Sequence, residues 1–333
     1  MIKLSKRSRQ PLRMPWTRER LYHERSILLG MTIDRSTSQS YHSALNSYLT
    51  FCLLHGLPND PSPETLSLYV AWQCSFISPA SVDSYLSGIC NELEAYYPQV
   101  RANRASKLVT QTLKGARRRY GRPTARKDPL TWTNLELVQV MLASSSDHDD
   151  YLFVAMLFTG FHALLRLGEL TTHDKVTLRD PSKYTLRSSF HWIPDGFDFW
   201  LPRHKSDQRF EGNHIVTLRH HGKPDVHAVM RRYLTSRDSL FPLHPWLWLT
   251  KAGRMPTRLW FINRLRFFFP STIAGHSMRA GGATALAEAG ASLQIIKAAG
   301  CWSSDAFERY IRRNPIILHA IILLGGEAKR LSE

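Results

Sequence analysis

One stretch in the first half of the chain, KGARRRYGRPTARKDP at residues 114–129, limits the fold more than any other. From Lys114 to Lys127 it carries seven basic residues and no acidic one, broken by glycine and proline. A like-charged run with such breakers does not fit inside a core. It predicts a linker over 114–129, with one domain on each side and a basic arm at 1–16. A length of 333 residues is long for one core and suits two.

From Thr17 to about Tyr120 the pattern is helical throughout, the first domain taking residues 17–113. In STSQSYHSALNSYLTFCLLHG, Tyr41, Leu45, Tyr48, Leu49 and Cys52 recur at helical spacing, and Gly56 is the stop. SPETLSLYVAWQCSF and SPASVDSYLSGICNELEAYY each open with Ser-Pro, a cap followed by proline at the first helical position. The expectation is a bundle of four or five helices. Residues 130–333 open with two helices, the second running through FTGFHALLRLGEL. A strand-rich patch follows: SSFHWI, a turn at Asp195-Gly196, FDFWLPR and NHIVTL. Helices then resume. The fold class expected is mainly α with a small antiparallel β-sheet in the second domain.

Forty-four Lys and Arg against 27 Asp and Glu leave a net charge of +17. A surface that basic calls for a polyanion, and nucleic acid fits better than lipid headgroups. Lys114, Arg117, Arg118, Arg119, Arg122, Arg126 and Lys127 are the candidate phosphate contacts, the competing reading being a solvated face. Cys52, Cys74, Cys90 and Cys301 lack CxxC spacing, which argues for a reducing compartment and against a disulfide scaffold or zinc ribbon. No cofactor, metal cluster or membrane span is expected. The expected location is the nucleus in a eukaryote, or otherwise the cytoplasm or nucleoid.

Single residues carry the chemical signal. Arg166 lies among leucines at the end of a helix, with Glu169 three residues on to pair with it. The pair is either a structural ion pair or an arginine held to fork onto a phosphate. In GHSMRAGGATALAEAG, His276 and Arg279 point the same way from a helix start, where free N–H groups favour an anion. The small residues after them allow another backbone or a DNA strand to approach. Lys205 falls at the tip of a hairpin, Trp302 follows a helix-ending Gly300, and Tyr310 lies on an apolar stripe with Phe307 and Ile311.

The order of these residues resembles the catalytic domain of the tyrosine recombinase (phage integrase) superfamily over about residues 150–313. Members like the Cre recombinase also have LLR before the first arginine, and tryptophan where others have a second histidine. The resemblance implies roles. Tyr310 is the nucleophile, Arg166 and Arg279 grip the scissile phosphate, and His276 transfers a proton or binds the phosphate. Trp302 donates its N–H, Lys205 protonates the leaving 5′-oxygen, and Glu169 supports the site. Lys223 and Arg209 compete with Lys205 for its role. The chemistry asks for the same set. Expelling a 5′-hydroxyl from a phosphodiester puts charge on non-bridging oxygens and on a poor leaving group, which fixed cations and a general acid relieve.

The implied function is site-specific DNA recombination or integration through a 3′-phosphotyrosyl intermediate. Implied partners are double-stranded DNA and three further copies of the chain, the helix at NPIILHAIILLGG docking between protomers. The alternatives are relaxation of the type IB topoisomerase kind, or a non-catalytic DNA-binding descendant of a recombinase.

Overall fold

The computed structural model describes residues 14–122, 127–203, 211–219, 222–300 and 302. The chain divides into two compact units, Met1–Thr124 and Ala125–Glu333. Among the described residues it is mainly helical with one three-stranded antiparallel sheet, the fold class expected from the sequence.

The first unit holds α1 (Arg18–Gly30), α2 (Arg35–His55), α3 (Pro63–Gln73), α4 (Pro79–Leu93), α5 (Val100–Ala105) and α6 (Lys107–Tyr120). These six helices exceed the four or five expected, the short α5 being the least visible in the pattern. Caps set the boundaries. Ser62 and Ser78 each accept a hydrogen bond from the amide three residues on, at 3.2 and 3.1 Å, with proline next in line. Gly56 ends α2 in the left-handed conformation, φ 62°. Tyr48, Phe51, Leu66, Tyr69, Val82 and Ile89 fill the core. At Gly88 the backbone of α4 approaches Tyr41 and Ala44 of α2 so closely that an added Cβ would lie 3.0 Å from both.

The expected linker at 114–129 is corrected here. Its first seven residues are helical, so Lys114, Arg117, Arg118 and Arg119 lie on the last two turns of α6. Ser106 caps this helix, and Val109, Leu113 and Ala116 bury one stripe of it. That stripe outweighs the roughly 1 kcal/mol that Gly115 costs in mid-helix. The basic run is the opposite, solvated face of an amphipathic helix.

The second unit contains α7 (Trp132–Met141), α8 (His148–His162), α9 (Leu167–Leu170), β1 (His191–Ile193), β2 (Gly196–Leu201), β3 (Asn213–Leu218), α10 (Val226–Leu240), α11 (Arg258–Phe268), α12 (Ser277–Glu288) and α13 (Leu293–Ala299). Every residue of α8 from Leu152 to Phe161 is buried, so it is the central rod around which α7, α10 and α12 pack. The sheet runs β1-β2-β3, with Ile193 opposite Gly196 and Leu201 opposite Asn213. The first turn falls one residue earlier than expected. Pro194 and Asp195 form it, Asp195 taking a positive φ of 58°, and Gly196 already belongs to β2. The glycine is needed there because an added Cβ would lie 2.1 Å from the Thr217 carbonyl.

A larger correction concerns the helix expected to carry Arg166. It stops at His162. Leu164 adopts a left-handed φ of 53°, its amide reaching the Phe161 carbonyl (3.3 Å) and the Leu165 amide the Gly160 carbonyl (3.0 Å). This is a Schellman ending with leucine where glycine is usual, at a cost of about 1–2 kcal/mol. Arg166 is therefore the residue that caps α9.

Candidate active site

The site is built where three helix ends meet. Glu169, on α9, accepts a hydrogen bond from the Arg166 backbone amide at 2.7 Å and from its guanidinium Nη1 at 2.9 Å. One carboxylate thus fixes both the start of the helix and the direction of the arginine. The Arg166 side chain keeps a quarter of its surface exposed, whereas that of Glu169 is almost covered. The structure therefore has an ion pair that is buried on the acid's side and open on the arginine's.

α12 supplies His276 at its cap position and Arg279 one turn in. Glycines bring this helix down onto α8. An added Cβ at Gly282 would lie 2.0 Å from the Phe161 carbonyl, and one at Gly281 would lie 2.1 Å from the Leu130 carbonyl. Of the two approaches expected for this small-residue stretch, the structure has the protein's own backbone. Gly275, just before His276, is held against Leu167, just after Arg166, where a Cβ would come within 2.5 Å of the leucine side chain. This contact sets His276 beside Arg166.

Arg279 is 2% exposed. Its Nη1 donates to the Leu164 carbonyl at 2.8 Å and its Nη2 to the Gly300 carbonyl. Its guanidinium carbon lies 4.1 Å from the centre of the Trp302 ring, a cation–π contact worth about 1–2 kcal/mol when desolvated. The strained Leu164 now has a reason. The left-handed turn aims its carbonyl at the arginine, while its side chain packs with Ala283, Ala287, Ile296 and Trp302. Trp302 is buried, its amide bonded to the Lys297 carbonyl at 3.1 Å. Gly300 ends α13 with φ −86°. Glycine is required by the indole, which would lie 2.0 Å from an added Cβ.

His276 is open to solvent on one side. Partial burial lowers its pKa below the usual histidine value, and the positive charges of Arg279, Arg166 and Arg258 lower it further. The imidazole is therefore neutral near pH 7 and able to accept a proton. Arg258, the first residue of α11, was not singled out from the sequence. It stands apart from any of the motifs, and only the fold brings it near.

Leu201 at the end of β2 and Ile215 in β3 line a small cleft together with Glu169 and Arg279. The sheet thus reaches the same site. Lys205 and Arg209, between these strands, lie outside the described residues, as does Tyr310 with its neighbours Phe307 and Ile311. Lys223, the other competitor for the lysine role, has its ammonium 5.7 Å from the centre of the Trp132 ring. Of the basic run, Arg126 is also outside the described residues. Arg117 is paired with Asp83 at 2.9 Å, Arg119 lies over Tyr120, and Lys127 donates to the Ser271 carbonyl at 2.8 Å. Lys114, Arg118 and Arg122 follow on and just after α6.

No protein-family model and no curated protein matches the sequence. Solved structures do match the fold. The integrase of transposon Tn1549, in complex with transposon right-end DNA, superposes with a TM-score of 0.59 at 14% identity, covering 94% of this chain and 99% of that one. The XerH site-specific recombinase bound to a palindromic difH substrate gives 0.58 at 15% identity, covering 89% and 80%. A lambda integrase dimer bound to a core site gives 0.53 at 14% identity, covering 88% and 94%. No helix among the described residues is long and apolar enough to cross a membrane. Over about nine-tenths of its length, the chain has the fold of the tyrosine recombinases and integrases.

Proposed function

We propose that this protein is a tyrosine recombinase or integrase that cuts and rejoins DNA strands. The observation that carries the reading is the convergence of Arg166, His276, Arg279 and Trp302. Arg166 comes from the start of α9, His276 and Arg279 from the start of α12 and Trp302 from just past α13, and Arg279 is fixed by two carbonyls and an indole face. A buried guanidinium held this rigidly loses little entropy when it meets a phosphate.

In this reading Tyr310 attacks the scissile phosphorus, forming a 3′-phosphotyrosine and breaking the bond to the 5′-oxygen. His276, neutral at pH 7, accepts the phenolic proton. Arg166 and Arg279 stabilise the charge that grows on the non-bridging oxygens, and Trp302 donates its N–H there. Lys205 gives a proton to the departing 5′-oxygen. The phosphotyrosine conserves the bond energy, so a 5′-hydroxyl from a partner strand can reverse the step without an outside energy source. The protein acts as a homotetramer on two duplexes, its C-terminal helix docking on a neighbouring protomer. The basic residues on and after α6 track the DNA backbone.

Covalent trapping tests this. The protein is incubated with a pool of nicked duplexes, denatured in detergent and examined for DNA-linked protein, wild type beside Tyr310→Phe. An adduct lost in the variant supports the reading. An adduct that survives means another residue attacks. Tight DNA binding with no adduct from either protein favours a non-catalytic binding protein, and relaxation of plasmids by a monomer favours the topoisomerase chemistry.

A further inference from the structure

Arg258 is a cation that the reaction above does not use. It opens α11, whose first turn is tied by backbone to the segment following α9. Thr172 and Thr257 form a parallel bridge, with the Thr172 amide donating to the Pro256 carbonyl at 2.9 Å and the Arg258 amide to the Thr172 carbonyl at 3.2 Å. Thr172 lies three residues after Glu169, and Thr171 between them is bonded back to the Leu167 carbonyl at 2.7 Å. Arg258 is thus anchored to the same short run of chain that holds Arg166.

Its placement is electrostatically unfavourable for the protein alone. A guanidinium at a helix N-terminus opposes the macrodipole, typically by about 0.3–1 kcal/mol. Its charge reaches His276 together with those of Arg166 and Arg279, so three arginines share one small region. Among the described residues no hydrogen bond or ion pair engages the Arg258 side chain, which is exposed. Asp174, the acid nearest in the chain to this bridge, accepts a hydrogen bond from the Leu259 backbone amide at 2.8 Å. A cation kept against like charges and a helix dipole needs an external anion to justify it. One phosphodiester carries a single negative charge, and Arg166, Arg279 and His276 already surround it in the reading above. The next anion on a DNA strand is the adjoining phosphate.

We propose that Arg258 grips the phosphodiester adjacent to the scissile one on the cleaved strand, fixing the position of the strand along the site. This rests on the strand-cleavage reading for the word "scissile", but the contact is testable by binding alone. Arg258 is a positioning residue and moves no proton.

The test measures binding of a random-sequence 30-base-pair duplex across a range of salt, for wild type, Arg258→Ala, Arg258→Lys and, as a charge-matched control, Lys251→Ala. Lys251 is paired with Asp147 at 3.3 Å, an ion pair that includes none of the site residues. Losing one phosphate contact lowers the magnitude of the slope of log affinity against log salt by about 0.9. Arg258→Ala is expected to show that loss, with Arg258→Lys and Lys251→Ala keeping the wild-type slope and all melting alike. An unchanged slope in Arg258→Ala overturns the proposal. So does an equal fall in Ala and Lys variants accompanied by lowered melting, which marks a structural role. The trapping assay on the same proteins separates the two readings. Absence of a Tyr310-dependent adduct in wild type removes the cleavage reading, and an unchanged slope beside a normal adduct removes only the Arg258 contact.

Discussion

Two helices of this protein carry the arginines that the proposed function sets against phosphates, and they hold them in opposite physical settings. On α12, Arg279 is 2% exposed, bonded to two carbonyls and stacked on an indole. On α6, Arg117, Arg118 and Arg119 stand on the solvated face of the last turn, where basic residues also complement the helix dipole. The buried guanidinium has one orientation, and its charge is little screened. The exposed ones sample many orientations and are screened by salt within about 10 Å at 0.1 M. Chemistry needs the first setting, because a transition state lasts too briefly to wait for a side chain. Affinity needs only the second, because long-range attraction is insensitive to geometry. The two helices should therefore fail differently when altered.

The largest effect is expected at Arg279. Arg279→Ala removes a phosphate donor, which by analogy with other fixed donors costs about 10²–10³ in rate. It also leaves the carbonyls of Leu164 and Gly300 buried without their partner, at roughly 1–3 kcal/mol each. Arg279→Lys should do nearly as badly, since a lysine cannot reach both carbonyls and stack on Trp302. Adduct yield and melting temperature measured on both variants check this. A lysine variant with wild-type yield would show that charge alone suffices and would erase the contrast with α6.

Next come the glycines that seat α12. Gly282→Ala sets a methyl 2.0 Å from the Phe161 carbonyl, and backbone on both sides leaves little room to shift. Overpacking of this kind costs about 1–3 kcal/mol, or roughly 2–4 °C of melting temperature per kcal/mol for a unit of this size. Gly115→Ala in α6 meets nothing within 4 Å and is expected to stabilise by up to about 1 kcal/mol. Opposite signs for two Gly→Ala changes would establish that one helix is packed by backbone contact and the other is not. Thermal melting of the pair reads it.

The same contrast explains what the sequence could and could not disclose. Ser62, Ser78 and Gly56 act through local chemistry, and their helices begin and end where that chemistry puts them. The order of Arg166, Glu169, His276, Arg279 and Trp302 stands out in the sequence because polar and charged types are unusual among the leucines and small residues that surround them. Leu164 does not. Nothing local asks a leucine to turn left-handed, and the reason lies with Arg279 more than a hundred residues away. Arg258 was invisible for a similar reason, since its neighbours come from the Thr172–Thr257 bridge and not from any motif. The basic run misled in the other direction. Its charge suggested a linker, but Val109, Leu113 and Ala116, spaced along the opposite face, made it a helix.

A smaller effect is expected on α6 itself. Arg118→Ala with Arg119→Ala should lower the magnitude of the salt slope of DNA binding by up to about 1.8, two phosphates at about 0.9 each. Melting should stay within about 0.5 kcal/mol of wild type, as for most surface changes. Arg117→Ala should change the slope less, because Asp83 already neutralises that side chain at 2.9 Å. Equal slopes for Arg117→Ala, Arg118→Ala and Arg119→Ala measured one at a time would mean that the Asp83 pair opens on binding.

The smallest effect concerns pH and falls on His276. Its folded pKa is lowered from the ordinary value of 6.5, first by partial burial and then by Arg279, Arg166 and Arg258. The unfolded chain therefore binds more protons than the folded one just below pH 6.5, so stability falls as the solution is acidified through this window. The loss is complete once pH is below the folded value, and above pH 6.5 the group contributes no slope. His276→Gln should flatten that part of the stability profile and leave the rest unchanged. A bound phosphate acts in the opposite direction, because an anion beside the imidazole favours its protonated form. DNA affinity should accordingly rise on going from pH 7.5 to pH 6 in wild type, beyond any change seen in His276→Gln. A pH-independent affinity in wild type would mean that DNA reaches α6 without its phosphate ever reaching His276.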